Sequence, residues 1–270
     1  MNKTLNEMLF ERIKNLNLIF DTHAHYNDEK FKENRSETLE YVHKNGVSNI
    51  CNMSSSLEEC ETSVEIAQRF EFVFCAVGIH PENVANMPPN WLEKLEYYAK
   101  QNKVVAIGEI GLDYHYENFD KEKQIEVFEQ QMSLAKKLNL PVAIHSRDAF
   151  EDTTKILKKF PEVRGVVHCF SGSVQNALTY VAMNYFIGLT GILTFKNAKN
   201  VKKVAEAVPI SKIVLETDCP FLAPEPWRGQ VCNSAMLVSV VEALAEIKKI
   251  PIEEVVETTN RNAFELYRIK

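Results

Sequence analysis

The sequence has no C-x-x-C pair, no long apolar run, no glycine-rich turn behind its first β-like segment and no surplus of positive charge. Each absence excludes a class of protein. The six cysteines, Cys51, Cys60, Cys75, Cys169, Cys219 and Cys232, follow no disulfide-like spacing, which argues for reduced thiols packed as small apolar side chains. Nothing approaches about 18 consecutive apolar residues, so no transmembrane helix and no membrane association are expected. Residues 1–16 carry Lys3, Glu7, Glu11, Arg12 and Lys14 where a signal peptide would be apolar, and a cytoplasmic protein is expected. In the same stretch Leu5, Met8, Leu9, Ile13 and Leu16 fall at helical spacing, predicting an amphipathic helix packed on the main body. A formal net charge of −6 lacks the broad basic field of a processive or sequence-reading nucleic-acid binder. It leaves room for a local phosphate site, because bound metal ions reverse the potential of a pocket.

What is present is an alternation. Short apolar or β-branched runs at residues 18–22, 47–53, 72–79, 104–110, 141–145, 165–169, 185–190 and 212–217 read as eight strands. Helical stretches follow each, at 37–45, 56–70, 90–101, 119–139, 149–160, 174–183, 198–208 and 234–248, with a further one at 252–267 beyond the breaker Pro251. Eight β-then-α units predict the α/β class: a single-domain TIM-type (β/α)8 barrel over residues 1–270 with an extra N-terminal helix. The competing open, doubly wound sheet calls for a glycine-rich phosphate turn after the first strand. Asp21-Thr22-His23-Ala24-His25 stands there instead.

Barrel active sites are built at the C-terminal ends of the strands. Five of the seven histidines, His23, His25, His80, His145 and His168, lie at those ends, His115 lies just beyond one, and only His43 falls on a helix. Strand alternation points Asp21, His23 and His25 the same way, with Asp21 one layer deeper, where it would orient a histidine or close the floor. His23, His25, His145, His168, Glu109 and Asp218 together make six nitrogen and oxygen donors. A catalytic zinc takes three protein ligands and a water, so six donors suit two divalent metal ions sharing a carboxylate, with Glu109 as the candidate bridge. Such a pair would activate a bridging water for in-line displacement, and Asp218 would accept its proton. The donors leave Mg²⁺, Mn²⁺ and Zn²⁺ open: four histidines suit a transition ion, whereas phosphodiester chemistry is often run by Mg²⁺.

Asp-Thr-His-Ala-His at 21–25, Gly-Glu-Ile-Gly-Leu-Asp-Tyr at 108–114, Ile-His-Ser-Arg at 144–147, His-Cys-Phe-Ser-Gly at 168–172 and Glu-Thr-Asp-Cys-Pro-Phe-Leu at 216–222 resemble the motifs of the TatD family. These are metal-dependent deoxyribonucleases of the amidohydrolase-type barrel superfamily. The resemblance runs from strand one to Arg228, and Thr-Asn-Arg-Asn-Ala-Phe at 259–264 is similar to the family's terminal helix. It implies His23, His25, Glu109 and Asp218 around one metal and Glu109, His145 and His168 around the other. It also implies a 3′→5′ exonuclease acting on DNA; a site in the barrel mouth of an acidic protein favours single-stranded ends over a long duplex, and no obligate protein partner is evident. Strand four has no lysine, so Glu109 would bridge without the carbamylated lysine of many binuclear amidohydrolases.

Three further residues are expected at the substrate. Arg147, on the face of His145, would grip a phosphate oxygen in bidentate fashion, its other reading being a salt bridge to Asp148 or Glu151. Arg228 sits on a loop that could fold over the site, and His80 resembles a family position near the substrate. Trp227 would stack on a base or anchor the loop. Glu82, Asp113 and His115 are read as rim residues, and Ser171-Gly172 as a tight turn or helix cap. Where the family continues Lys-Arg-Asn-Glu-Pro, this chain has Gln230-Val231-Cys232-Asn233-Ser234, which removes two cations and a glutamate. Activated water attacks carbonyl carbon as readily as phosphorus, so the alternative is an esterase or amidase-type hydrolase of a small-molecule or aminoacyl substrate. The full donor set disfavours a non-catalytic binding protein.

Overall fold

Strands buried on both faces read as short apolar runs, and keeping them parallel requires a crossover helix between each pair. The computed structural model, which describes residues 5–117 and 119–270, arranges them in one eight-stranded parallel sheet whose order follows the sequence. The strands are β1 (Ile19–Ala24), β2 (Val47–Met53), β3 (Val73–Val77), β4 (Val104–Asp113), β5 (Val142–Arg147), β6 (Gly165–Val167), β7 (Phe186–Leu189) and β8 (Ile213–Leu215). Between and around them lie α1 (Leu5–Leu16), α2 (Arg35–Lys44), α3 (Leu57–Arg69), α4 (Trp91–Ala99), α5 (Lys121–Leu138), α6 (Phe150–Leu157), α7 (Val174–Ala182), α8 (Lys199–Ala207), α9 (Leu237–Lys248) and α10 (Ile252–Tyr267). β1 and β8 meet through the bridge between Ala24 and Cys219, with His25 N donating to Cys219 O at 2.8 Å and Asp218 N to His23 O at 2.8 Å. The sheet thus curls into a nearly closed TIM-type barrel ringed by helices.

One buried side chain from every strand fills the interior: Phe20, Cys51, Ala76, Ala106, Ala143, Val166, Phe186 and Val214. α10 caps this cluster with Ala263, Leu266 and Tyr267, whose hydroxyl donates to Thr22 O at 2.6 Å. Three alanines in this layer leave room for the aromatic rings of Phe20 and Phe186. In α1, Ile13 is buried and Arg12 pairs with Glu253 of α10. Residues 1–4 and the side chains of Leu5, Met8 and Leu9 lie outside the described residues. No described helix is long and apolar enough to cross a membrane.

Two differences from the expected boundaries bear on the site. β4 does not stop at residue 110 but continues to Asp113, because β5 pairs with it as far as Asp113 opposite Arg147. β6 and β8 are short, ending at Val167 and Leu215, so His168, Glu216 and Asp218 stand on the loops that leave the barrel.

At the opposite end Lys103 performs a task no pattern announces. Its ammonium donates to the carbonyls of Ala67, Phe70, Glu71 and Val73 at 2.6–3.1 Å, satisfying the C-terminal end of α3 and its exit turn. Lys103→Met keeps the stem and removes the donors. The expected loss is about 1.5–3 kcal/mol for hydrogen bonds to a charged group. It should appear as a lower denaturant midpoint at unchanged slope, and an unchanged midpoint would count against the role.

Candidate metal centre at the barrel mouth

The donors converge because each leaves the C-terminal end of its strand. Among the described residues, His23–Glu109–His168, His23–His25–Asp218 and His80–Glu109–His145 each bring their donor atoms within 4.8 Å of one another. Glu109, almost wholly buried, sits between them and divides them. Its Oε1 lies 2.6 Å from His168 Nε2, 3.0 Å from His145 Nδ1 and 3.6 Å from His80 Nε2. Its Oε2 faces the other way, 3.4 Å from His23 Nε2 and 3.6 Å from His25 Nε2. Asp218 Oδ1 completes the second side at 3.3 Å from His25 Nε2 and 3.7 Å from His23 Nε2. All six donors named from the sequence are thus brought together, with His80 beside them.

The electrostatics follow from this crowding. Burial alone would raise the Glu109 pKa, but the surrounding imidazoles, His168, His80 and His23 foremost, hold its carboxyl well below the usual range. Burial pulls His23 down to about 4. Burial also pulls on His25, yet Asp218 and Glu109 outweigh it and lift that ring to about 9. The buried Glu109 has only histidine partners among the described ion pairs, and so has Asp218. His23 and His25 bring their Nε2 atoms 3.1 Å apart, so two ring nitrogens and two carboxylates crowd one small volume. Four imidazole nitrogens with carboxylate oxygens, uncompensated by lysine or arginine, fit a divalent cation.

Residues outside the expected donor set surround the donors. Asp113 is buried and its Oδ2 accepts from His145 Nε2 at 2.9 Å, which turns the Nδ1 lone pair of His145 to the centre. Asp113 is itself held: Oδ1 accepts from His115 N at 2.9 Å, and Gln124 bonds both its N–H and its carbonyl. It belongs to the site rather than to the rim. The signal was available, since 109, 111 and 113 share one face of β4. Asp113→Asn should lower metal affinity by about 10–100-fold, the usual effect of losing such a carboxylate partner. Metal titration would check this, and an unchanged affinity would reject the role.

Glu216 stands behind another donor, His168, without a hydrogen bond to its ring. It is fully buried, accepts from Cys169 N, and places Oε1 3.8 Å from His168 Nδ1. Burial raises its carboxyl to about 8. Its carboxylate fills the space where a side chain on Gly188 would stand, a Cβ there lying 2.4 Å from Oε2. Asp21 accepts from Thr217 Oγ1 and Ser234 Oγ at 2.6 Å each, and from the backbone of Thr217 and His23. It ties β1 to the β8 exit and orients His23 through the main chain, not through the ring.

The substrate candidates separate. His80 Nδ1 accepts from Glu82 N at 3.2 Å, and burial depresses its pKa to about 3, so the ring is neutral with its proton on Nε2, facing the centre as a donor. Arg147 lines the cavity over the centre, stacks on Tyr116 and donates to the Tyr116 hydroxyl at 3.3 Å; neither Asp148 nor Glu151 is its ion partner among the described residues. Arg228 instead lies 3.7 Å over the Phe195 ring and is not among the residues that line the cavity. Trp227 packs half-buried against the core, as a loop anchor. Cys219 is buried, Cys169 Sγ faces Thr190 Oγ1 at 3.7 Å, and neither thiol belongs to the donor groups among the described residues.

Comparison with known proteins agrees with this geometry. A family profile described as TatD related DNase matches residues 20–268. The uncharacterized metal-dependent hydrolase YabD of Bacillus subtilis is 39% identical over 254 residues, covering 93% of this chain and all of the relative. YcfH of Escherichia coli, named likewise, is 37% identical over 76% of this chain and 77% of its own length. The crystal structure of YjjV, a TatD homologue from Escherichia coli, superposes with a TM-score of 0.89 at 29% identity, covering 94% of this chain and all of the other. With its profile match running from β1 to the end of α10, this chain belongs to the TatD-related DNase family of metal-dependent hydrolases.

Proposed function

We propose that this hydrolase cleaves DNA phosphodiester bonds as a 3′→5′ exonuclease on single-stranded ends, using two divalent ions that share Glu109. The observation that carries the two-ion reading is the division of that carboxylate: Oε2 addresses His23 and His25, Oε1 addresses His145 and His168. His23, His25 and Asp218 would complete one site, and His145 and His168 the other. Bound there, divalent ions would polarise the phosphoryl oxygens and make an attacking water acidic.

The chain's own groups do the rest. Asp218 is partly open to the cavity and takes the proton of the attacking water. His80 presents Nε2–H and neutralises charge on a phosphate or leaving oxygen. Arg147 is the single arginine or lysine among the described residues that line the cavity and grips the neighbouring phosphate. The cavity, of about 730 Å³, opens at the barrel mouth, which suits a strand end entering singly more than a long duplex lying across it.

End-labelled single-stranded DNA, incubated with protein loaded with Mg²⁺, Mn²⁺ or Zn²⁺, should shorten stepwise from the 3′ end. Arg147→Ala should raise KM about tenfold or more, the scale of a lost charge-assisted pair. Absence of stepwise release with all three ions would reject the nuclease reading. Because Arg228 leaves Arg147 as the one arginine grip on the cavity, turnover of an ester substrate insensitive to Arg147→Ala would favour the esterase alternative.

A further inference from the structure

Phe221 is a large apolar side chain left 48% exposed on the wall of the catalytic cavity, three residues beyond Asp218. Single exposed apolar side chains are common on protein surfaces, so what distinguishes this ring is its place on the cavity wall beside the donors. Its backbone is fixed. Phe221 N donates to Asp218 O at 3.0 Å, and Cys232 N donates to Pro220 O at 3.1 Å. The following carbonyl, Leu222 O, packs so closely on Gly191 that a Cβ there would lie 2.1 Å away, so the loop rests on β7's exit. Ile192 and Leu222 extend the apolar wall beside the ring. From the β1 side, the ammonium of Lys30 lies over one face of the ring, 4.6 Å from its centroid, carried by the turn Glu29–Phe31 that Asp28 caps, so a base would stack on the opposite face.

A half-exposed aromatic ring with a lysine on one face, a loop held by backbone hydrogen bonds and the proton-accepting carboxylate three residues away form a compact arrangement. We propose that Phe221 is a stacking platform for one nucleobase of the substrate strand, with Lys30 neutralising the phosphate attached to it. The proposal rests on the phosphodiesterase reading above and adds a subsite to it. Stacking on a phenyl ring is tolerant of base identity, because every base has a π-face, so the subsite senses the presence of a base rather than its sequence. It also replaces Trp227, whose ring is committed to the core, as the base-stacking group of this loop.

The test uses the full-length, metal-loaded chain and end-labelled single-stranded DNA in which one abasic site is walked over the last three nucleotides. One abasic position should raise the wild-type KM about tenfold, within the range reported by removal of a stacked base. Phe221→Ala should raise KM on the intact strand about as much, leave kcat within about twofold, and erase the difference between intact and abasic strands. Phe221→Trp should restore both. A fluorescent adenine analogue at the sensitive position should be quenched by the wild type and by Phe221→Trp but not by Phe221→Ala, a signature that a purely structural role would not give. If the wild type degrades all strands with equal KM, or Phe221→Ala leaves KM unchanged, the platform is overturned while the nuclease reading stands. If the wild type degrades none of them, the nuclease reading falls and takes the subsite with it.

Discussion

Replacing Glu109 with Gln is expected to reduce turnover about 10²–10⁴-fold. This follows from about 3–5 kcal/mol for breaking a buried, charge-paired contact and a factor of ten in rate for each 1.36 kcal/mol. The amide keeps the size of the carboxylate but offers one acceptor oxygen and one N–H₂. Whichever way it turns, one of the two histidine sets now meets a donor instead of a lone pair: His23 and His25 on one side, or His145 and His168 on the other. A loss confined to one set would lower the bound metal to a single ion, and loss of the shared charge would weaken both. The variant therefore has two readouts, turnover and metal content by elemental analysis, with circular dichroism to show that the barrel persists. Full metal content together with turnover within tenfold of wild type would refute a bridging role for this residue.

Much of the barrel could be read from sequence because a parallel sheet buried on both faces writes its strands as uninterrupted apolar runs, and each crossover must be a helix. The donors were legible for a related reason. Histidines have no cause to gather at strand ends unless something there needs them, and His23, His25, His145 and His168 did so. What escaped was set by partners remote in sequence. Gly111-Leu112-Asp113 has turn-like composition, and only the ladder with β5 reveals it as strand. Asp113 was therefore placed on the rim when it is buried against His145. Lys103 meets four carbonyls around the end of α3, contacts that no side-chain pattern encodes. Arg228 and Phe221 share one irregular loop, where periodicity carries no information. Its path, resting on Gly191 and tied through Cys232, puts Phe221 on the cavity and Arg228 on Phe195.

Stripping the metal should remove substrate binding as well as turnover. Asp28, Glu59, Glu82, Glu109 and Asp218 all line the cavity, against Arg147 as the one arginine or lysine among its described lining residues. A phosphodiester brought to that surface without cations meets a negative field in a partly desolvated pocket, where charge interactions are stronger than in water. Divalent ions reverse the sign. Affinity for a non-hydrolysable single-stranded oligonucleotide, measured by fluorescence anisotropy, is expected to fall about 100-fold on chelation, near the upper part of the usual coupling range, and to return on adding Mn²⁺. Linkage makes the reverse experiment obligatory: the same oligonucleotide must tighten metal binding by the same factor, because the two affinities share one coupling free energy. A coupling of this size is what ions standing between the carboxylates and the phosphate would give. An apo protein that binds the oligonucleotide as tightly as the loaded one would show that the grip on DNA lies outside this cavity, on a surface the donors do not reach.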